Sequence, residues 1–253
     1  MKFIKPNWPA PSQVHSLIST RLGGVSQPPY DFLNLGDHVG DSAELVARNR
    51  DLLRVHLPSN PIWLQQIHST IVSTPDQRVQ MTGQPIIADA IVSIAPNEVL
   101  IIMTADCLPI LFTANDGSII GAAHAGWKGL CAGVLENTVS AMLSCRSHLK
   151  SSDLYAYMGP AIGPKFYEVG EDVYTAFEAS SKGIKKGEFQ AIPRKQGKYL
   201  ADLYSIATNR LLAVGLKQID GGQMCTFSDP ELFYSYRRNG VTGRFASMIW
   251  IAK

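Results

Sequence analysis

Residues 86–125 read IIADAIVSIAPNEVLIIMTADCLPILFTANDGSIIGAAHA, a series of apolar runs separated by turn-forming clusters. Runs at 86–94, 99–104, 109–114 and 118–125 have the length of strands, and the breaks PNE and ADCLP supply the proline, asparagine and aspartate that end them. Runs so continuously apolar predict strands buried in the protein interior. Within 86–112, Asp89, Pro96, Asn97, Glu98 and Asp106 interrupt the stretch. A membrane span needs ~20 mostly uncharged residues, so this region reads as core.

Working upstream, STRLGGVSQPPYDFLNLGDHVG at 19–40 mixes glycines with adjacent prolines. It predicts a strand ending near Arg21, a glycine-rich turn, and a loop through Asn34 to Gly40. Asp41 or Ser42 is placed to cap a helix over 43–56, with Leu45, Leu52 and Leu53 inward and Arg48, Asn49 and Arg50 elsewhere. PIWLQQIHSTIVS at 61–73 reads as a strand pair bent at His68.

Downstream, the spacing of Leu130, Val134, Leu135, Val139 and Leu143 predicts a helix over 130–149. A strand over 154–158 runs into the turn GPAIGP, and helices are expected over 170–180 and 201–214. Strands near 217–227, 232–236 and 244–251 close the chain. Strict strand–helix–strand alternation is absent, which argues for a mixed α/β fold whose sheets are covered by helices. With no internal repeat and no linker, the chain reads as a single domain, 1–253.

Of the 253 residues, 45% are apolar and 17% charged, enough to bury a core and unlike a disordered chain. Net charge is +2, which provides no global attraction to nucleic acid or membranes. The one basic run, 182–198, holds six cations and one acid but only Phe189 for stacking, so it reads as a solvated loop. The amino terminus, MKFIKPNWPAP, has three prolines within six positions and no apolar run behind them, so no signal peptide is expected. Cys107, Cys131, Cys145 and Cys225 are too few and scattered for a disulfide framework and read as free thiols in a reducing cytoplasm.

Three segments place a metal-capable side chain at a strand end or turn: QQIH at His68, TADC at Cys107 and AAHAGW at His124. Three nitrogen and sulfur donors with one open position would describe a catalytic zinc site, lowering the pKa of a bound water to about 7. The same residues also suit a nucleophilic pair, Cys107 attacking and His124 acting as base, oriented by Asp106, Asp89 or Gln66. Two core histidines and an inert thiol remain a third reading. Asp89 breaks an otherwise apolar strand, either as partner to a ligand histidine or as a turn residue. Asp106 is a candidate acid–base group. Arg48 and Arg21 are candidates for an anion, because a guanidinium fork matches phosphate. Gly126–Gly129 is expected to open a helix, and Arg237 and Arg238 take a surface role by default.

Taken in order, TRLGGVS, LNLGDHVGD, NR, QIH, ADA, TADCLPI, AAHAGWKG, GPAIGP, CT and SYRRNGVTGR span residues 20–244. This set resembles the YfiH/YlmD-like family, also described as multicopper polyphenol oxidase-like or laccase-domain proteins. The family includes purine nucleoside phosphorylases and the bacterial peptidoglycan editing factor. The resemblance implies two mixed sheets sandwiched between helices in a four-layer α-β-β-α arrangement. It also implies zinc held by His68, Cys107 and His124.

The activity implied is phosphorolysis of adenosine, guanosine, inosine or methylthioadenosine, together with deamination of adenosine. Asp89, Asp106 and Cys107 are then the catalytic candidates, and Arg21 and Arg48 the substrate-binding ones. The partners implied are small molecules, a purine nucleoside and phosphate, with no nucleic acid or membrane. Alternatives within the resemblance are a zinc amidase editing UDP-muramoyl peptidoglycan precursors, a copper-dependent phenol oxidase, and a non-catalytic metal-binding protein. Copper at a single site stays possible. A four-copper oxidase centre is not expected, since it takes many clustered histidines and the chain has six in all.

Overall fold

The computed structural model describes residues 1–80 and 83–253. The apolar runs of the opening stretch separate into two sheets. Val99–Thr104 lies in a five-stranded sheet between Phe245–Ile251, antiparallel to it, and the short parallel strand Pro61–Ile62. The other edge of that sheet carries Val14–Ser19 and Phe3–Ile4. Leu108–Ala114, Ile120–Ala125 and Ala90–Ser93 form the antiparallel centre of a six-stranded sheet. Leu154–Met158 extends it antiparallel, and Gln218–Gly221 and Val72–Ser73 close its two edges in parallel.

Every residue of Leu108–Ala114, Ile120–Ala125 and Ala90–Ser93 is buried, because both faces of the six-stranded sheet are covered. One face meets the five-stranded sheet, with Ile91, Leu111 and Ile120 packed among Leu100, Ile102 and Phe245. Its other face carries helices: Leu135 and Met142 of Val134–Cys145, Phe177 of Glu171–Ala179, and Leu211 of Leu203–Ala213. The outer face of the five-stranded sheet is covered by Leu53 of the helix Ala43–Arg54, with Leu33 and Leu35 of the preceding loop. The order is helix, mixed sheet, mixed sheet, helix, the four layers implied by the resemblance.

Several local expectations change. The strand over 86–94 is split into Ile86–Ile87 and Ala90–Ser93, and the pair over 61–73 becomes three short strands in three sheets. Asp89 causes both, since its carboxylate accepts the backbone N–H groups of Ile67, His68 and Ser69, which therefore leave the ladder. The helix over 130–149 starts earlier, as Trp127–Ala132, and breaks at Gly133 (φ +104°) before continuing as Val134–Cys145.

In the helix Ala43–Arg54 the buried side chains are Val46, Asn49 and Leu53. Asn49 faces inward because it is fully hydrogen-bonded. Its amide donates to Ser26 Oγ and the carbonyls of Phe32 and Asn34, and its oxygen accepts Val25 N–H.

The strand near 217–227 is only Gln218–Gly221, stopped by two positive-φ glycines, Gly221 and Gly222. Residues 232–236 form no strand. Phe233 and Tyr234 are buried there ahead of a helical turn, Tyr236–Asn239, which Ser235 caps through Arg238 N–H. The basic run is partly ordered: Phe189–Ala191 and Lys198–Ala201 pair with each other, and Glu168–Gly170 joins the latter in a three-stranded sheet.

Candidate metal centre and cavity

Asp89 is the organising group. Fully buried, it accepts from three successive backbone N–H groups, from Ser69 Oγ, and stands 2.9 Å from His124 Nδ1. Burial alone would raise its pKa. The bonds from His124 and Ser69 outweigh that and hold the carboxyl at about 2. Its grip on the segment 67–69 fixes His68 in the left-handed region at φ +61°, a conformation that L-residues adopt only under constraint. With Nδ1 engaged by Asp89, His124 presents Nε2 to the opposite side.

His68, Cys107 and His124 meet at that point. One donor atom from each lies within 4.8 Å of the other two, and Cys107 Sγ is 3.7 Å from His68 Nε2. Two ligands of one tetrahedral zinc, with bonds of ~2.0–2.3 Å, stand about 3.3–3.6 Å apart, so small side-chain adjustments bring the three donors onto one ion. The donor chemistry fits as well. Burial raises the Cys107 thiol, but the facing His124 and His68 imidazoles outweigh it and hold it well below the usual thiol range. His124 is shifted down by burial but more strongly up by Cys107 and Asp89, so the pair favours thiolate beside imidazolium until a cation replaces the proton. Gly126 leaves the room required, since a Cβ there would stand 2.6 Å from His68 Cδ2 and 3.1 Å from Cys107 Sγ.

The triad opens into a cavity of about 430 Å³, within the range of small-molecule sites. Met103, Trp127, Ile162 and Tyr167 supply apolar and aromatic wall. Burial pushes the Tyr167 phenol far up, so it remains a hydrogen-bond donor. Asp106 also lines the cavity, at φ +96°, with its carboxylate receiving Thr226 Oγ1 and Arg237 N–H at 2.6 Å each.

Sequence-predicted residues divide sharply. His68, Cys107, His124 and Asp106 face the cavity, whereas Asp89 lies behind His124 and does not line it. Gln66 lines it but spends its amide on both backbone groups of Met103, so it does not orient a histidine. Arg21 and Arg48 are not brought to this cavity. Arg21 pairs with Asp31 at 2.9 Å and donates to Pro230 carbonyl, and Arg48 is an exposed residue of its helix. In their place stand Arg237 and Arg244, which sequence reasoning left to a surface role or passed over.

The family model described as multi-copper polyphenol oxidoreductase laccase matches residues 15–252. The chain is similar to a protein named purine nucleoside phosphorylase from Haemophilus influenzae, 48% identical over 99% of both chains. It is also similar to purine nucleoside phosphorylase YfiH from Escherichia coli, at 46% over 99% of both. Among solved structures, protein NMB0706 of Neisseria meningitidis superposes with a TM-score of 0.89 at 43% identity over 100% of both chains. YlmD from Geobacillus stearothermophilus gives 0.86 at 28% identity, covering 96% of this chain and 93% of its own.

Proposed function

This chain belongs to the family described as multi-copper polyphenol oxidoreductase laccase, and from that premise we propose that it is a zinc-dependent purine nucleoside enzyme. Its reactions are phosphorolysis of adenosine, guanosine, inosine or methylthioadenosine, and deamination of adenosine. The observation that carries the reading is the three-donor cluster at the wall of a substrate-sized cavity. Relatives named purine nucleoside phosphorylases, matched over almost the whole chain, support the substrate class. Multicopper oxygen reduction needs several coppers. Among the described residues His68, Cys107 and His124 are the sole cluster of three or more ligand-type side chains, which speaks against that chemistry. A closed structural zinc takes four protein ligands, and the cluster offers three.

When bound, the ion supplies Lewis acidity at His68, Cys107 and His124. Asp89 acts through His124 as a positioning residue, fixing the ring so that Nε2 faces the cavity. In phosphorolysis, an oxygen of phosphate bonds to the ribose C1′ as the bond to the purine nitrogen breaks, and the base leaves with the electron pair and takes up a proton. The protonated Tyr167 phenol is placed to donate to a departing base, and Trp127, Met103 and Ile162 keep water from its faces. In deamination, water adds at C6 and ammonia leaves. Of the two candidate carboxylates, Asp106 alone lines the cavity and is the group placed to carry a proton there. Unpaired cysteines suit a reducing cytoplasm.

The test is metal content with turnover on wild type and Cys107→Ala, using adenosine with and without phosphate. About one zinc per chain, with phosphate-dependent adenine release or inosine formation by wild type alone, is the expected result. Bound zinc with no nucleoside turnover contradicts the reading.

A further inference from the structure

Among the described residues, several arginines that are half-buried or deeper have their charge met by protein. Arg21 pairs with Asp31 and Arg50 with Asp37, at 2.9 and 3.1 Å. Arg78 pairs with Glu98 at 2.9 Å, and the buried Arg210 lies 3.8 Å from Glu136. Arg238 gives its guanidinium to the carbonyls of Thr226, Phe227 and Phe233.

Arg244 and Arg237 differ. Neither has a carboxylate within ion-pair distance among the described residues. The half-buried Arg244 spends Nη1 on the carbonyls of Thr242 and Gly243, leaving Nε and Nη2 without an acceptor. Arg237 spends Nη1 on the Glu168 carbonyl and lies over the Tyr167 ring at 5.2 Å, again leaving Nε and Nη2 free. Both line the cavity that the metal donors line.

The chain goes to some length to seat these two groups. Arg244 N–H donates to Asn34 Oδ1, Leu35 N–H donates to the Arg244 carbonyl, and Gly36 lies against its stem. A Cβ at Gly36 would stand 2.8 Å from Arg244 Cγ. The LNLG segment of the sequence thus fits around Arg244. Arg237 is held by the bond from its backbone N–H to Asp106. Withdrawing the half-buried Arg244 from water with no carboxylate in contact is costly, and the exposed Arg237 adds further spare fork donors, so the cavity is suited to a small multivalent oxyanion.

Resting on the nucleoside-phosphorolysis reading, we propose that Arg237 and Arg244 together form the subsite for inorganic phosphate, in the cavity that the three donors also line. The purine nucleoside then shares the cavity with that phosphate, with the aromatic wall against its base. Asp106, which receives Thr226 Oγ1 and the Arg237 backbone, lines the same cavity and sets the position of Arg237.

Calorimetric titration of inorganic phosphate into the zinc-loaded protein tests this, with Arg237→Gln, Arg244→Gln and Arg48→Gln compared with wild type. Loss of either cavity arginine is expected to weaken phosphate binding about tenfold or more. Arg48→Gln is expected to bind as wild type does. Arg244→Lys, which keeps charge but not the fork, should recover part of the loss. In turnover, the KM for phosphate rises in both glutamine variants while the KM for nucleoside moves little, a split that general damage to the fold would not give. Arg237 is exposed, so its variant remains informative even if Arg244→Gln misfolds. Phosphate binding that is absent in wild type, or equal in wild type and Arg237→Gln, overturns the subsite. Phosphate binding that depends on the arginines, in a protein that turns over no nucleoside, sustains the subsite and overturns the phosphorylase reading instead.

Discussion

Two groups line the cavity: at one, His68 and His124 are held by a carboxylate that has no free oxygen and meet Cys107; at the other, Arg237 and Arg244 keep guanidinium donors with no acceptor. The first group is satisfied from behind. Asp89 receives five hydrogen bonds and passes order to His68 through the backbone and to His124 through its ring. The second is positioned from behind but left uncompensated in front. A donor cluster that is to take a metal must be ordered before any substrate arrives, because ligand geometry sets affinity. A group that recognises a diffusible anion must retain charge for it.

Cys107→Ala should break the first group most completely, removing the thiolate donor. Metal content falls well below one per chain, and nucleoside turnover falls to background, read by elemental analysis and product assay. Asp89→Asn comes next. The amide presents N–H where backbone donors now bond, so metal affinity should fall about 10- to 100-fold. Stability should fall by ~1–3 kcal/mol from the donors left unsatisfied, measured by chelator competition and denaturant unfolding. Asp89→Asn should leave phosphate binding closer to wild type than metal binding.

A glycine pair sharpens the contrast with smaller effects. Gly126→Ala pushes a methyl group toward His68 and Cys107 and should weaken metal binding. Gly36→Ala pushes one toward Arg244 and should raise the KM for phosphate with metal content unchanged. Should both variants change the same quantity, the two groups are not separate. Arg48→Gln marks the bottom of the scale, with stability within about 0.5 kcal/mol of wild type and kinetics unchanged, as for an exposed helix residue outside the cavity.

The three-donor cluster was legible in the sequence because its parts are local. His68, Cys107 and His124 each follow or end a short strand beside turn-forming residues, and Asp89 is visible as a charge in an apolar run. What stayed ambiguous was the role of Asp89, because its five donors come from segments 20 to 35 positions away. The arginine pair was illegible for a related reason. Whether a guanidinium is free depends on which distant groups reach it, and Arg21 is consumed by Asp31 and by a carbonyl 209 positions away. One signal did exist for Arg244. It directly precedes the buried strand Phe245–Ile251, as Cys107 directly precedes Leu108–Ala114.

In the fold, the long apolar strands and helix faces followed from periodicity. Residues 222–236 did not, because Phe233 and Tyr234 are buried as loop residues rather than as strand, a placement that only packing between the sheets determines.

The most direct measurement is zinc-edge X-ray absorption on the purified, metal-loaded protein beside Cys107→Ala. Wild type should show one sulfur at ~2.3 Å and two nitrogens at about 2.0–2.1 Å, with one further light atom in the open position. The sulfur shell should vanish in the variant. A wild-type spectrum without sulfur, or a sulfur shell that survives Cys107→Ala, would contradict the assignment of His68, Cys107 and His124 as the ligands.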